Sequence, residues 1–171
     1  SEYISTNAEY ALPNNGSLQL RAVFEEISED NLIAEGITPI RINEVSAANS
    51  MYINDYFKKN DWIELYNRGE KPVNVAGMYF SDDPSEPTKH RLETVWGVNT
   101  TINPNGRLVI WCDGKASLTQ PHLPFKLKNA DGGFLSLQSA DGKWKDTIRY
   151  DAHSTKESIG RYPDGGCSYY A

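Results

Sequence analysis

Short alternating segments separated by turns constrain the fold of this chain more than any other feature. Residues 40–45 read IRINEV, residues 61–67 read DWIELYN and residues 107–112 read RLVIWC. Polar stretches, several of them rich in Gly or Pro, separate these segments. Apolar side chains at every second position are typical of strands that bury one face. Residues 72–81, PVNVAGMYFS, extend the pattern, and Gly77 within them allows a bend or a bulge.

The spacing of the turns indicates the fold class. The dipeptide Asp141-Gly142 stands between two alternating runs, at 134–137 and 144–150, and such a dipeptide favours a β-hairpin. Turn clusters recur about every ten residues, and no segment has a convincing helical period. We therefore predict an all-β protein, a β-sandwich of about seven to nine strands.

Charge divides the chain into two regions. Residues 1–36 carry seven acidic residues and one basic residue, a net charge of −6, whereas residues 37–171 carry sixteen of each and are neutral. Alternation at 18–24 predicts a strand, with a helix as the alternative because the apolar residues there also share a helical face. One or two strands cannot bury a face alone. We therefore interpret residues 1–36 as an acidic segment that ends a preceding β domain or adds an extra strand to the next one.

Composition argues against several functions. Residues 37–171 have no basic excess, and affinity for nucleic acid depends on one. No apolar run approaches the ~20 residues that a membrane helix needs. Cys112 and Cys167 are either one disulfide or two free thiols, and no Cys/His spacing supports a zinc site. We expect no cofactor and no metal centre.

Asp61 and Glu64 are the first candidates for an acid/base pair. They lie three residues apart in DWIELYN, and side chains at an odd separation point to opposite faces of a strand. Ile63 and Leu65 occupy the face that we expect to bury. The predicted catalytic set is therefore empty. A hydrolase that uses Asp61, Glu64 or Asp82 is the alternative, and it requires two of these carboxylates in one cleft.

Several motifs in order resemble a known family. INEV, DWIELYN, VNVAGMYFSDDP, TINPNGRLVIWCDG, FKL and GRYPDG follow one another between about residues 40 and 166. This series resembles the lamin tail domain in its bacterial form. The resemblance implies an immunoglobulin-like β-sandwich over residues 37–171 and brings no catalytic residues with it. Residues 1–36 resemble the last hairpin of an internalin-type bacterial surface repeat.

A group of residues forms the structural signature that we expect of this fold. Arg161, in GRYPDG, is predicted to pair with a strand carboxylate such as Glu44 or Glu64, and Trp111 is predicted to help fill the core. The complete signature is Glu44, Trp62, Glu64, Gly77, Trp111, Arg161 and Asp164.

Two kinds of ligand site remain as candidates. Trp96, in ETVWGVN, and Trp144, in the hairpin beside two lysines, are the rings best placed to stack on a sugar, although packing within the fold is the favoured explanation of each. Asp82 and Asp83, in SDDP, could supply oxygen ligands to calcium, although a turn in which Asp caps backbone amides explains the same pattern.

The resemblance implies an accessory, non-catalytic function. Bacterial lamin tail domains are similar to accessory modules of large secreted or surface proteins. We therefore expect a non-catalytic binding or spacer module, extracellular or at the cell surface, in the periplasm or anchored to the outer membrane. The expected partners are neighbouring domains of the same chain, a polysaccharide or the cell envelope. A nucleic-acid-binding module is a further alternative that the neutral charge disfavours.

Overall fold

The computed structural model describes residues 38–171, which contain β-strands and no helix. The N-terminal hairpin prediction lies outside these residues. The twelve strands of residues 38–171 are β1 Ile40–Ser46, β2 Asp61–Asn67, β3 Val73–Asn74, β4 Tyr79–Ser81, β5 His90–Arg91, β6 Thr101–Ile102, β7 Arg107–Cys112, β8 His122–Leu123, β9 Gly133–Gln138, β10 Lys145–Tyr150, β11 Ile159–Arg161 and β12 Tyr169–Tyr170. Five of them contain only two residues, so the number exceeds the predicted seven to nine.

The strands form a sandwich of two main sheets. One sheet has six strands in the order β12-β11-β1-β2-β7-β8, and the other has four in the order β10-β9-β4-β5. β3 and β6 form a separate two-stranded sheet. All named pairs are antiparallel except β7 with β8. The family resemblance and the strand pattern thus predicted the fold class correctly.

The core follows from the alternation in the sequence. Ile63 and Leu65 of β2 are fully buried and pack in the same cluster as Phe80 of β4 and Leu135 and Leu137 of β9. Fully burying an apolar side chain of this size stabilises the fold by about 1.5–3 kcal/mol. The inward positions of the central strands therefore hold the two sheets together.

A β-bulge interrupts the alternation of β1. Ile42 pairs with Leu65 and Glu44 pairs with Glu64, which leaves Asn43 as the extra residue. The extra residue shifts the phase of the strand, so that Val45 points into the core and Glu44 points outward. Without the bulge, the period of two that starts at Ile42 would place a carboxylate in the apolar interior.

A buried ion pair joins the two sheets. Arg161 of β11 donates from Nη2 to both oxygens of Asp146 on β10, at 3.2 Å each, and from Nε to the carbonyl of Ile42 at 2.9 Å. The prediction that Arg161 pairs with a strand carboxylate is confirmed, but the partner is Asp146 and neither Glu44 nor Glu64. Those two glutamates point away from the core, whereas Arg161 lies on the inner face of its strand.

The structure contains the predicted bend at Gly77 and the predicted hairpin turn at Gly142. Gly77 has a φ of +83° and marks the bend between β3 and β4, where its N–H donates to the carbonyl of Leu92 at 2.8 Å. Gly142 has a φ of +72° in the hairpin that joins β9 and β10. Both positions need the left-handed backbone that glycine adopts without strain.

The two cysteines are not bonded to each other. Cys112 is a buried free thiol, and Cys167 is an exposed one.

Candidate binding groove on the six-stranded sheet

The outer face of the six-stranded sheet carries two tryptophans side by side. Trp62 of β2 and Trp111 of β7 are paired across the two strands, and next to them Glu64 pairs with Val109. These four side chains alternate with the core positions of their strands, so they lie on the surface away from the second sheet. Both indoles are nevertheless buried, with 7% and 4% of their surface exposed, and neither belongs to the core cluster.

Loops cover this face and turn it into a groove of about 500 Å³. The loop between β1 and β2 forms one wall with Met51, Tyr52 and Ile53, and residues 155–158 form another. Tyr52 is 63% exposed and packs edge-on against Trp62, with ring centroids 6.1 Å apart. The groove therefore has a floor of two indoles and an exposed phenol at its rim.

Asn49 holds the wall that carries Tyr52. Its Oδ1 accepts hydrogen bonds from the backbone amides of Met51 and Tyr52, both at 2.9 Å. Its Nδ2 donates to the carbonyls of Tyr52 at 2.7 Å and Asn60 at 2.9 Å. A buried amide with four hydrogen bonds fixes the loop without help from a regular strand. The position of the phenol at the rim is thus set by local backbone chemistry.

Two carboxylates lie opposite each other on the floor. Glu44 and Glu64 are directly paired across β1 and β2, an arrangement in which like charges repel. Burial raises the pKa of Glu64, while a hydrogen bond from Asn43 at 2.9 Å opposes that rise. Ser158 donates a hydrogen bond to Glu44, and Arg107 forms an ion pair with Glu64 at 3.6 Å.

Both tryptophans present an indole N–H near the groove, and the two differ in their partners. Trp111 Nε1 donates to the side-chain oxygen of Gln120 at 2.6 Å. Trp62 Nε1 is buried and has no hydrogen-bond acceptor within residues 38–171. A buried donor without an acceptor is costly, about 1–3 kcal/mol. The groove floor therefore includes one polar group that the protein leaves without a partner in this part of the chain.

Comparison with known proteins identifies the family. The family model described as Lamin Tail Domain matches residues 35–154. The chain belongs to the lamin tail domain family. No curated protein and no solved structure matches the chain. Lamin tail domains have an immunoglobulin-like fold, in agreement with the sandwich described above. They are typically non-catalytic.

The two tryptophans that were predicted to bind sugar differ in their exposure to solvent. Trp96 lies in the loop after β5 and is 97% exposed, as an available ring requires. Trp144 is only 8% exposed and packs in the core cluster of this lamin tail domain. The prediction of an exposed ring at Trp144 is wrong because the hairpin folds it against the inner face, between two exposed lysines.

The SDDP segment forms a turn. Asp83 Oδ1 accepts hydrogen bonds from the backbone N–H of Ser85 at 2.9 Å and from its hydroxyl at 2.7 Å, which lower the pKa of Asp83. Asp82 pairs with Lys89 at 2.8 Å. No cluster of three or more potential metal ligands occurs within residues 38–171. Calcium binding at Asp82 and Asp83 stays a prediction.

The three carboxylates of the hydrolase alternative have separate environments. Asp61 accepts a hydrogen bond from the amide of Leu127 at 3.2 Å, and burial raises its pKa to about 6. Glu64 lies on the outer face, and Asp82 pairs with a lysine beyond β4. The expectation that Asp61 and Glu64 point to opposite faces agrees with their partners, and the three share no hydrogen-bond partner.

Sequence reasoning placed Trp62 and Trp111 in the signature but missed that they form one floor. Trp111 was expected to help fill the core, and the structure places it on the outer face instead. Strand alternation offered the signal, because Trp62 and Trp111 both occupy the phase opposite to the core residues. Tyr52 and Asn49 had no such signal, since they come from an irregular loop. Asp164, the last signature residue, accepts hydrogen bonds from Asn43 and Arg107 beside the groove.

Proposed function

We propose that this lamin tail domain is a non-catalytic accessory module of a larger secreted or cell-surface bacterial protein, and that its outer-face groove binds a polysaccharide. The observation that carries the proposal is the pair of indoles under an exposed tyrosine, beside two carboxylates. A volume of about 500 Å³ lies within the range of about 300–1,000 Å³ that is usual for ligand pockets.

The groove chemistry suits a sugar. Aromatic rings pack on the apolar faces of pyranoses, and Tyr52 offers a largely exposed ring at the rim. Carboxylate oxygens accept hydrogen bonds from sugar hydroxyls, and Glu44 and Glu64 place such oxygens on the floor. The groove thus combines stacking with directional polar contacts.

Three features support a role without catalysis. The family is typically non-catalytic. Asp61, Glu64 and Asp82 share no common site, so the hydrolase alternative lacks the pair of carboxylates that it requires. Glu64, whose pKa is raised, is engaged by Asn43 and Arg107, and the carboxylate opposite it on the groove floor accepts a hydrogen bond from a serine hydroxyl. The partners that we infer are a polysaccharide of the cell envelope and the neighbouring domains of the same chain.

Thermal melting of the 171-residue protein with a panel of soluble polysaccharides tests the proposal. A ligand at one hundred times its dissociation constant stabilises the folded state by about 2.7 kcal/mol. At roughly 2–4 °C per kcal/mol, that corresponds to a shift of about 5–10 °C. We expect Tyr52→Ala to abolish the shift and Trp96→Ala, which removes an exposed ring elsewhere, to preserve it.

Three results would contradict the proposal. Loss of the shift in Trp96→Ala but not in Tyr52→Ala would move the sugar site to the loop after β5. A cooperative melt that no polysaccharide shifts would favour a spacer that acts through its neighbouring domains. Release of reducing ends during incubation would instead support the hydrolase alternative. Melts with calcium and with chelator, run in parallel, test the turn at Asp82 and Asp83.

A further inference from the structure

One end of the sandwich exposes apolar side chains on two neighbouring loops. These loops are residues 47–60, between β1 and β2, and residues 113–121, between β7 and β8. We call the exposed group the loop-tip patch. It consists of Met51 (57% exposed), Ile53 (57%), Phe57 (87%) and Leu118 (51%), with the exposed lysines Lys58, Lys59 and Lys115 around them.

The two loops are tied together by specific contacts. Tyr56 donates from its hydroxyl to the carbonyl of Ala116 at 3.0 Å, and Lys115 lies 5.3 Å from the Tyr56 ring centroid. Asp55 accepts hydrogen bonds from the amides of Thr119 at 2.8 Å and Gln120 at 2.9 Å. These contacts hold the two loops that carry the exposed apolar side chains next to each other.

Phe57 is held in an unfavourable backbone conformation. Its φ is +58°, a region that a bulky side chain rarely adopts. Asn54 imposes this turn, because its carbonyl accepts from the amide of Phe57 at 2.9 Å and its Oδ1 accepts from the amides of Tyr56 and Lys58 at 3.0 Å. The turn thus projects an aromatic ring into solvent at a position where glycine would be unstrained.

The exposed charges of the loop-tip patch are positive. The only acidic residues of the two loops are Asp55 and Asp113, and their side chains are 9% and 1% exposed. Both point inward to the buried His122, at 2.8 and 3.0 Å from its ring nitrogens. The three lysines of the patch therefore face solvent without an exposed carboxylate on either loop.

We propose that the loop-tip patch docks on the surface of an anionic lipid bilayer, with Phe57 entering the interface and Lys58 and Lys59 contacting the headgroups. Exposed apolar side chains beside lysines are the combination that binds such interfaces. Anionic lipid attracts basic residues near the membrane surface, and each lysine strengthens binding by about fivefold. Met51 and Ile53 also line the groove, whereas Phe57 and the two lysines lie outside it, so variants at these three positions test docking without changing the groove lining.

Cosedimentation with vesicles tests the inference on the 171-residue protein. One set of vesicles contains phosphatidylcholine alone, and the other an equal mixture of phosphatidylcholine and phosphatidylglycerol. We expect binding to the anionic set only, weakened by salt. Phe57→Ser should reduce the partition coefficient about tenfold or more, because burying an aromatic ring supplies that much. The double variant Lys58→Glu/Lys59→Glu should reduce it by more than about tenfold.

Controls separate docking from other causes. Trp96→Ser removes an equally exposed ring outside the patch and should leave vesicle binding unchanged. Cooperative melts of all variants show that they fold. Absence of binding to the anionic vesicles would overturn the inference. So would binding that depends on the lysines but not on Phe57, since that result describes a surface for anionic polymers rather than for a bilayer.

Discussion

Replacement of Asp146 tests whether the inter-sheet ion pair holds the sandwich together. Its side chain is 5% exposed, and its carboxylate pairs with Arg161 and accepts a hydrogen bond from the amide of Ile42 at 2.8 Å. Asp146→Ala would leave the guanidinium of Arg161, 2% exposed, without its countercharge. Breaking a buried pair in this way costs about 3–5 kcal/mol. That loss is a large part of the 5–15 kcal/mol by which domains of this kind are stable.

Urea unfolding followed by tryptophan fluorescence measures the effect. The double variant Asp146→Leu/Arg161→Met should cost less than Asp146→Ala, because it removes the more deeply buried cation together with its countercharge. Only Arg41, which lies 3.4 Å from Asp146 and is 16% exposed, then loses its partner. Lys143→Ala is the matched surface control, since its pair with Asp141 is more than half exposed on both sides and should matter by less than about 1 kcal/mol. A free energy of unfolding for Asp146→Ala within about 1 kcal/mol of wild type would refute the reasoning.

Three further predictions follow from burial. Burial raises the pKa of Asp61 to about 6, so the folded state keeps the proton of this carboxyl to a higher pH than the unfolded state does. The titration of Asp61 should therefore lower the free energy of unfolding by about 2 kcal/mol as the pH rises from about 4 to about 6. In urea unfolding, the free energy of unfolding of wild type minus that of Asp61→Asn should fall by about 2 kcal/mol across that window, because the asparagine does not titrate; a constant difference would contradict the prediction. Trp144→Ala should lower the free energy of unfolding by about 3–5 kcal/mol and Trp96→Ala by less than about 0.5 kcal/mol, in the same assay; equal effects would contradict the burial of Trp144. A maleimide should label Cys167 in the native protein and Cys112 only after denaturation, because Cys112 is buried and burial raises the pKa of its thiol. Labelling of both cysteines in the native protein would contradict this prediction.

The strands and the core could be predicted because their causes are local. Ile63 and Leu65 alternate with polar residues, and the structure buries both completely. The Asp141-Gly142 hairpin needed only a residue that adopts positive φ at the turn. The bulge at Asn43 has a weaker trace in the sequence, where the apolar alternation slips by one residue before Val45.

The candidate sites could be predicted only in part, because they combine distant segments. Trp62 and Trp111 are 49 positions apart in the numbering, and they meet because β2 pairs with β7. Tyr52 reaches the groove through hydrogen bonds of an irregular loop, for which residue patterns carry no period. The predicted sugar site at Trp144 failed because the same residue type also fills cores, and only packing distinguishes the two uses.

The sequence by itself determined that this protein is an all-β sandwich of the lamin tail type. Period-two burial and turn chemistry act within a few residues, so they can be read along the chain. The tertiary structure alone decided which charges are neutralised, which rings are covered and which stay in solvent. Arg161 meets Asp146 rather than Glu44 or Glu64 because sheet packing, not sequence distance, brings side chains within the few ångströms over which ion pairs and hydrogen bonds act.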